Sequence, residues 1–287
     1  VILLPNASTV YEVPLTIQAS GINSVIERFT GNTTKPDLSK WKNIAALQGS
    51  TFETTVRVGM VAKYLDNEDT YISVLESLKA AAWQEKVNLD ISWINAEQAE
   101  QSDFDAVDAL LVPGGFGLRG VEGKIAAATY ALETKKPYLG ICLGLQIGVI
   151  AAARRAGLTA ANSTEFNPNT KENVVYIMEG QTGKESTGGT LRLGDYVAHL
   201  QPDSLLAKTY GETEVTERHR HRYEVNQTFM QQIEKGGLSV TGFSPDGKLV
   251  EFVEGSDHPY FVATQAHPEF RSRPYRAHPL FVGLVRS

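Results

Sequence analysis

Cysteine occurs once in this 287-residue chain, at Cys142. No disulfide can form within it, and cysteine usage gives no sign of an oxidising compartment. Long apolar runs are missing too. The first residues, 1–4, are apolar, but Pro5 and Asn6 end the run, and no later stretch approaches the length of about 18 residues expected of a membrane helix. Positive charge is not in excess: 27 Lys and Arg face 33 Asp and Glu, for a net charge of -6 and a pI of about 5.6. That balance argues against broad binding to nucleic acid or to a membrane surface. There is no G-x-x-x-x-G-K-[ST] phosphate loop, no internal repeat and no low-complexity tract. His219 and His221 alternate as metal ligands sometimes do, but no further ligands accompany them, so no metal site is expected. A cytoplasmic protein is expected. Because the chain starts at Val1 and not at Met, it is read as part of something longer.

The apolar pattern divides the chain in two. Residues 1–52 hold YEVPL (11–15), a periodic apolar stretch through Val25 and Phe29, and then the polar run GNTTKPDLSK (31–40). They read as the tail of an earlier unit followed by a linker. Residues 53–287 read as one domain. VRVGMVAKY (56–64) has the composition of a buried strand, and from Asp69 the stretch through TYISVLESLKAAAWQE (70–85) has apolar residues at helical spacing. Further strands are predicted at 87–94, 107–113 and 137–141, with a helix near 122–133. Alternation of this kind specifies an α/β fold with helices on both faces of a central mixed, mostly parallel sheet. Beyond Val174 the spacing shortens into strands and turns, read as the second half of the same sheet.

The sharpest local signal is Gly140-Ile141-Cys142-Leu143-Gly144. A buried strand stops, one residue turns, and a helix begins with LQIGVIAAARRAG (145–157). This is a nucleophile elbow with cysteine in the serine position. The sulfur would sit at a helix N-terminus, where the positive potential favours thiolate over thiol. The same turn would aim the Leu143 N–H at a developing oxyanion. PGGFG (113–117), at the end of the preceding strand, can supply a second backbone N–H. Of six histidines, His267 stands out, because it follows the predicted strand YFVATQ (260–265) and has Glu269 two positions on. A thiolate needs such a base, and a base needs such an orienter. His258 and His278 also precede proline but lack the glutamate.

PGGFG, GICLGLQ (140–146) and HPEF (267–270), in that order, resemble the class I (triad) glutamine amidotransferases, whose fold is flavodoxin-like. RGVEGK (119–124), NSTEF (162–166), GGTLRLG (188–194) and RHRHRYEVN (218–226) resemble the glutaminase domain of the CTP synthase family, and YEVPL resembles the end of that family's synthetase domain. The resemblance implies hydrolysis of glutamine to glutamate and ammonia by Cys142, His267 and Glu269. It implies an oxyanion hole from Gly115 and Leu143, and a glutamine site from Gly115, Leu143, Gly144, Leu145, Gln146, Glu165 and Arg222. The residue chemistry agrees: an α-ammonium suits Glu165 and an α-carboxylate suits Arg222. Gln146 lies one helical turn past Cys142.

The same resemblance implies a partner synthetase domain that aminates UTP to CTP with ATP and Mg²⁺. It implies GTP as an activator, with Arg192 or Arg220 open as contacts, and a homotetramer. With no phosphate loop of its own, this chain is expected to carry the glutaminase step alone. RHRHR reads as a loop near the glutamine site. The alternatives are a stand-alone or other-pathway glutaminase or γ-glutamyl hydrolase with the same triad, and a non-catalytic module that keeps the fold.

Overall fold

Val56, Val58, Met60 and Val61 give strand β1 (Thr55–Ala62), buried along its second half and central enough to be hydrogen-bonded on both sides. The computed structural model describes residues 2–65, 68–178 and 192–287. Ahead of β1 lie three helices, α1 (Val13–Ala19), α2 (Ile22–Thr30) and α3 (Ser39–Gln48). The first two bury no residue, and α3 buries Ile44 alone. The polar run 31–40 concealed α3, which starts within it at Ser39. Tyr11 ties this segment down: its ring meets Trp83 edge-on at 5.2 Å, and its hydroxyl donates to Glu76.

After β1, a 3-10 turn (Glu68–Tyr71) leads into α4 (Ile72–Glu85), whose Ala80-Ala81-Ala82 run is a strong helix former. Lys86 ends it in the left-handed region, φ 56°. There follow β2 (Asn88–Asn95), the short capping-boxed α5 (Gln101–Asp105), β3 (Ala109–Val112), α6 (Val121–Thr134), β4 (Tyr138–Ile141) and α7 (Leu143–Arg155). The second half adds β5 (Asn162–Ser163), β6 (Asn173–Ile177), β7 (Arg192–Leu200), α8 (Leu205–Tyr210), β8 (Glu214–His221), β9 (Tyr223–Val225), α9 (Met230–Lys235), β10 (Leu238–Phe243), β11 (Val250–Gly255), β12 (Phe261–Thr264) and α10 (Pro279–Arg286). Of the GGTLRLG motif, residues 188–191 lie outside the described residues.

Among the described residues the main sheet has nine strands in the order β2-β1-β3-β4-β12-β11-β10-β7-β8. Five of them, β2-β1-β3-β4-β12, form an unbroken parallel block, and the remaining four extend it antiparallel. Two apolar layers sandwich it. Residues of α6, α7 and α9 pack on one face, and residues of α4, α8 and α10 on the other. That is the α/β architecture the strand-helix alternation predicted. A second, three-stranded sheet, β5-β6-β9, stands apart from the main one.

RHRHR differs from its loop reading. Its first four residues, 218–221, belong to β8, where burial alternates strictly: Glu217, His219 and His221 face inward, and Arg218 and Arg220 face out, while Arg222 follows the strand. The period of two was present in the sequence but was masked by the uniformly polar composition.

Candidate active site

Three strand ends converge at the carboxyl edge of the parallel block, where open α/β sheets collect their sites. β4 ends at Ile141, β3 ends before PGGFG, and β12 ends before Gln265 and His267. Cys142 makes the whole turn between β4 and α7, with φ 52° and ψ −99°, and its N–H is held by Thr264 O at 2.7 Å. A non-glycine residue in this region is strained and needs surroundings that over-determine it. The two glycines beside it provide them. A Cβ on Gly140 would lie 2.6 Å from Gly144 O, and one on Gly144 would lie 2.3 Å from Val112 O. The buried Tyr138 hydroxyl donates to Gly144 O at 2.9 Å, clamping the turn from below.

His267 comes to the sulfur from β12. The ring's Nδ1 donates to Glu269 Oε1 at 2.7 Å, and its face stacks on Phe270 at 5.2 Å. The His267 ring and the Cys142 sulfur face the same cavity. Burial opposes charge on this imidazole, but the charges of Cys142 and Glu269 and the hydrogen bond to Glu269 outweigh it. The proton is held well above the usual histidine range. Cys142, His267 and Glu269 all line one cavity of about 650 Å³.

The six histidines separate cleanly. Only His221 and His267 line the cavity. His199 is a surface partner of Glu214 at 3.3 Å. His258 Nε2 donates to Ala131 O at 2.9 Å, and His278 donates to Glu217 at 2.7 Å while capping α10. His219 lies behind the wall, and burial, then His221 and Arg192, push it down to about 2, so it is neutral.

Of the other expected site residues, Gly115, Gln146, Glu165 and Arg222 line the same cavity. Glu165 and Arg222 arrive from the small sheet, just after β5 and just before β9. Burial pushes the Glu165 carboxyl up, against the Gly117 N–H, Lys63 and Arg222. The Gly117 N–H donates to Glu165 Oε1 at 2.6 Å and so ties the PGGFG loop to this acid. Leu143, Gly144 and Leu145 do not line the cavity. The Leu143 side chain is buried, with Cδ2 3.4 Å from where a Gly115 Cβ would stand. Leu145 is in the core, and its N–H donates to Cys142 O.

Arg192, open as a nucleotide contact, is buried, and its guanidinium grips Glu251 with two bonds of 2.6 and 3.0 Å. Arg220 is exposed and lines the cavity. Sequence reasoning missed this Arg192–Glu251 pair, because nothing along the chain links β7 to β11. It also missed Gln265, which is fully buried against the sulfur. Its position two residues before His267 was the available signal.

The chain belongs to the class-I glutamine amidotransferase family: the profile described as "Glutamine amidotransferase class-I" matches residues 66–287. Its relatives within it include CTP synthases. That of Corynebacterium jeikeium is 47% identical over 298 residues, covering 99% of this chain and 54% of the relative. That of Thermus thermophilus is 45% identical over 294 residues, covering 99% and 53%. The chain thus spans about half the length of the curated relatives it matches. Among solved structures, the Trypanosoma brucei CTPS glutaminase domain with bound acivicin is 36% identical, with a TM-score of 0.75, covering 80% of this chain and 92% of that one.

Proposed function

We infer that the cavity binds L-glutamine and hydrolyses its side-chain amide to glutamate and ammonia. The observation that carries this reading is the convergence, in one cavity, of a strained cysteine elbow, a His267–Glu269 pair, and an acid and a base from a separate sheet. Glu165 and Arg222 match the α-ammonium and α-carboxylate of a free amino acid, and Gln146 flanks them.

In the first half-reaction the Cys142 sulfur attacks the amide carbon, and the C=O electron pair moves onto oxygen. The Gly115 and Leu143 N–H groups stabilise that oxyanion. The intermediate collapses with cleavage of the C–N bond. His267 gives its proton to the departing nitrogen, which leaves as ammonia, and a γ-glutamyl thioester remains. In the second, His267 takes a proton from water, the hydroxide attacks the thioester, and the C–S bond breaks to release glutamate and the Cys142 thiolate. Glu269 keeps the ring's Nδ1 protonated throughout, so that the other nitrogen serves as acid and base.

In the longer protein this ammonia would serve a synthetase domain that aminates UTP to CTP in the cytoplasm, within pyrimidine nucleotide synthesis. ATP, Mg²⁺ and the homotetramer are assigned to that domain, and GTP acts as activator. Among the described residues no group of three or more His, Cys, Asp and Glu is arranged to hold a metal ion, and no proposed step runs through one. Likewise, no helix among them is long and apolar enough to cross a membrane. Nucleic acid is not among the proposed partners. The test is glutamate release from glutamine by the wild type and by Cys142→Ala. Loss of turnover with an unchanged circular dichroism spectrum is expected, and continued turnover in the variant sinks the assignment.

A further inference from the structure

The wall behind Cys142 contains two buried side-chain amides in series. Gln265 is fully buried and does not line the cavity. Its backbone N–H is already used by Glu251 O at 2.9 Å, so the side chain is not needed to satisfy the strand end. Its Nε2 lies 3.7 Å from Cys142 Sγ, within hydrogen-bond range for sulfur, and its Oε1 lies 3.3 Å from Gln146 Nε2. Gln146 Nε2 in turn lies 3.2 Å from Tyr223 O.

The direction of this series follows from its far end. A backbone carbonyl only accepts, so the end of Gln146 facing Tyr223 must be the NH₂. That NH₂ has a second hydrogen, which points at Gln265. The end of Gln265 facing Gln146 must then be the carbonyl oxygen. Its NH₂ is left facing the sulfur. The amide orientation beside Cys142 is thus set by a main-chain carbonyl on β9, one residue past Arg222.

We propose that Gln265 belongs to the nucleophile's apparatus: its amide N–H donates to the Cys142 sulfur, locked in that direction by Gln146 and the Tyr223 carbonyl. The proposal rests on the reading of Cys142 as nucleophile. A donor on sulfur favours the anion over the thiol and fixes the direction in which the sulfur's remaining lone pairs point. The sulfur has this donor on its buried side and His267 on the cavity side, so the attacking lone pair faces the substrate. The relay also consumes both amide hydrogens of Gln146, which turns Gln146 Oε1 into the atom free to meet a ligand.

Cys142 is the only cysteine, so alkylation by iodoacetamide reports one sulfur without mapping. The experiment compares the pH–rate profile of alkylation in the full chain for the wild type, Gln265→Met and Gln265→Glu, with glutaminase kcat and KM alongside. Gln265→Met removes the donor at nearly constant volume. Alkylation at neutral pH should fall about tenfold, and the profile should move to higher pH by about one unit, the effect of one charge-assisted hydrogen bond. Gln265→Glu keeps an oxygen toward Gln146 but puts a carboxylate oxygen toward the sulfur, so its profile should move further. The glutamine KM should stay within about threefold, because Gln265 does not touch the cavity.

Unchanged profiles in folded variants would overturn the proposal, as would a uniform loss at all pH values with no displacement, which is the mark of a merely structural residue. Should both variants fail to fold, the side-chain amide resonance of Gln265 in the wild type decides. Alkylating Cys142 should shift it, and an unmoved resonance overturns the contact. Failure of the underlying reading looks different: Cys142→Ala would then retain glutaminase turnover whatever Gln265 does.

Discussion

Gly114→Ala tests the site geometry with a single methyl group. A Cβ at this position would lie 2.8 Å from His267 Cε1, and 3.6 Å from both His267 Nδ1 and Cys142 Cβ. Carbon atoms in contact settle at about 3.5–4.0 Å, so the ring or the loop must yield by roughly 0.7 Å. Gly114 is not in the left-handed region, so the cost is steric and not conformational. The ring has little room to move, with Phe270 stacked on its face and Glu269 holding Nδ1. A displacement of about 1 Å can reduce a rate about 10²-fold. The expected result is a fall in kcat of about 10- to 100-fold, or roughly 1.4–2.7 kcal/mol, with little change in KM. Gly115→Ala is the control. Its Cβ would meet Leu143 Cδ2 at 3.4 Å and Lys124 Nζ at 3.9 Å, and alanine keeps the N–H proposed for the oxyanion. Its kcat should stay within about threefold. Coupled glutamate dehydrogenase assays at saturating glutamine read both variants. A Gly114→Ala protein as active as wild type would refute the placement of His267 against this loop.

Glu269→Gln should lower kcat about 10³-fold while leaving the melting temperature nearly unchanged, because the amide no longer fixes the protonated Nδ1; steady-state kinetics check it. Arg192→Met should destabilise the fold by about 3–5 kcal/mol, since it leaves the fully buried Glu251 without its cation. Adding Glu251→Leu to that variant should recover most of the loss, as urea denaturation would show. Glu224 is buried, and burial, reinforced by Glu251, raises its carboxyl to about 8. The folded chain therefore holds a proton that the unfolded chain releases near 4.5. Stability from this group is complete below the unfolded value and is lost as pH rises through about 8. Wild type should lose on the order of a few kcal/mol more than Glu224→Gln between about pH 5 and pH 9, measured by denaturation at each pH.

The parallel half of the fold was legible because its signals are local. Its inner strands β1, β3, β4 and β12 are apolar runs ending in a turn, and β2 alternates apolar with polar residues. The elbow was legible for a stronger reason: glycines at positions 140 and 144 are demanded by backbone contacts that no side chain could survive. His267 was separable from His258 and His278 by one residue, Glu269. Helix α3 was hidden because its start lies in a polar run and it buries only Ile44. RHRHR was misjudged because charge obscured a two-residue alternation whose inward members are paired with groups on β7, β9 and β11. The Gln146–Gln265 pair could not be read at all, since its 119-residue separation is closed only by the β4–β12 pairing.

The most direct measurement is acid-quench trapping of the covalent intermediate. With radiolabelled glutamine, wild type should carry label on Cys142 that hydroxylamine removes, and Cys142→Ala should carry none. Glutamate formation without any thioester on that sulfur would contradict the account.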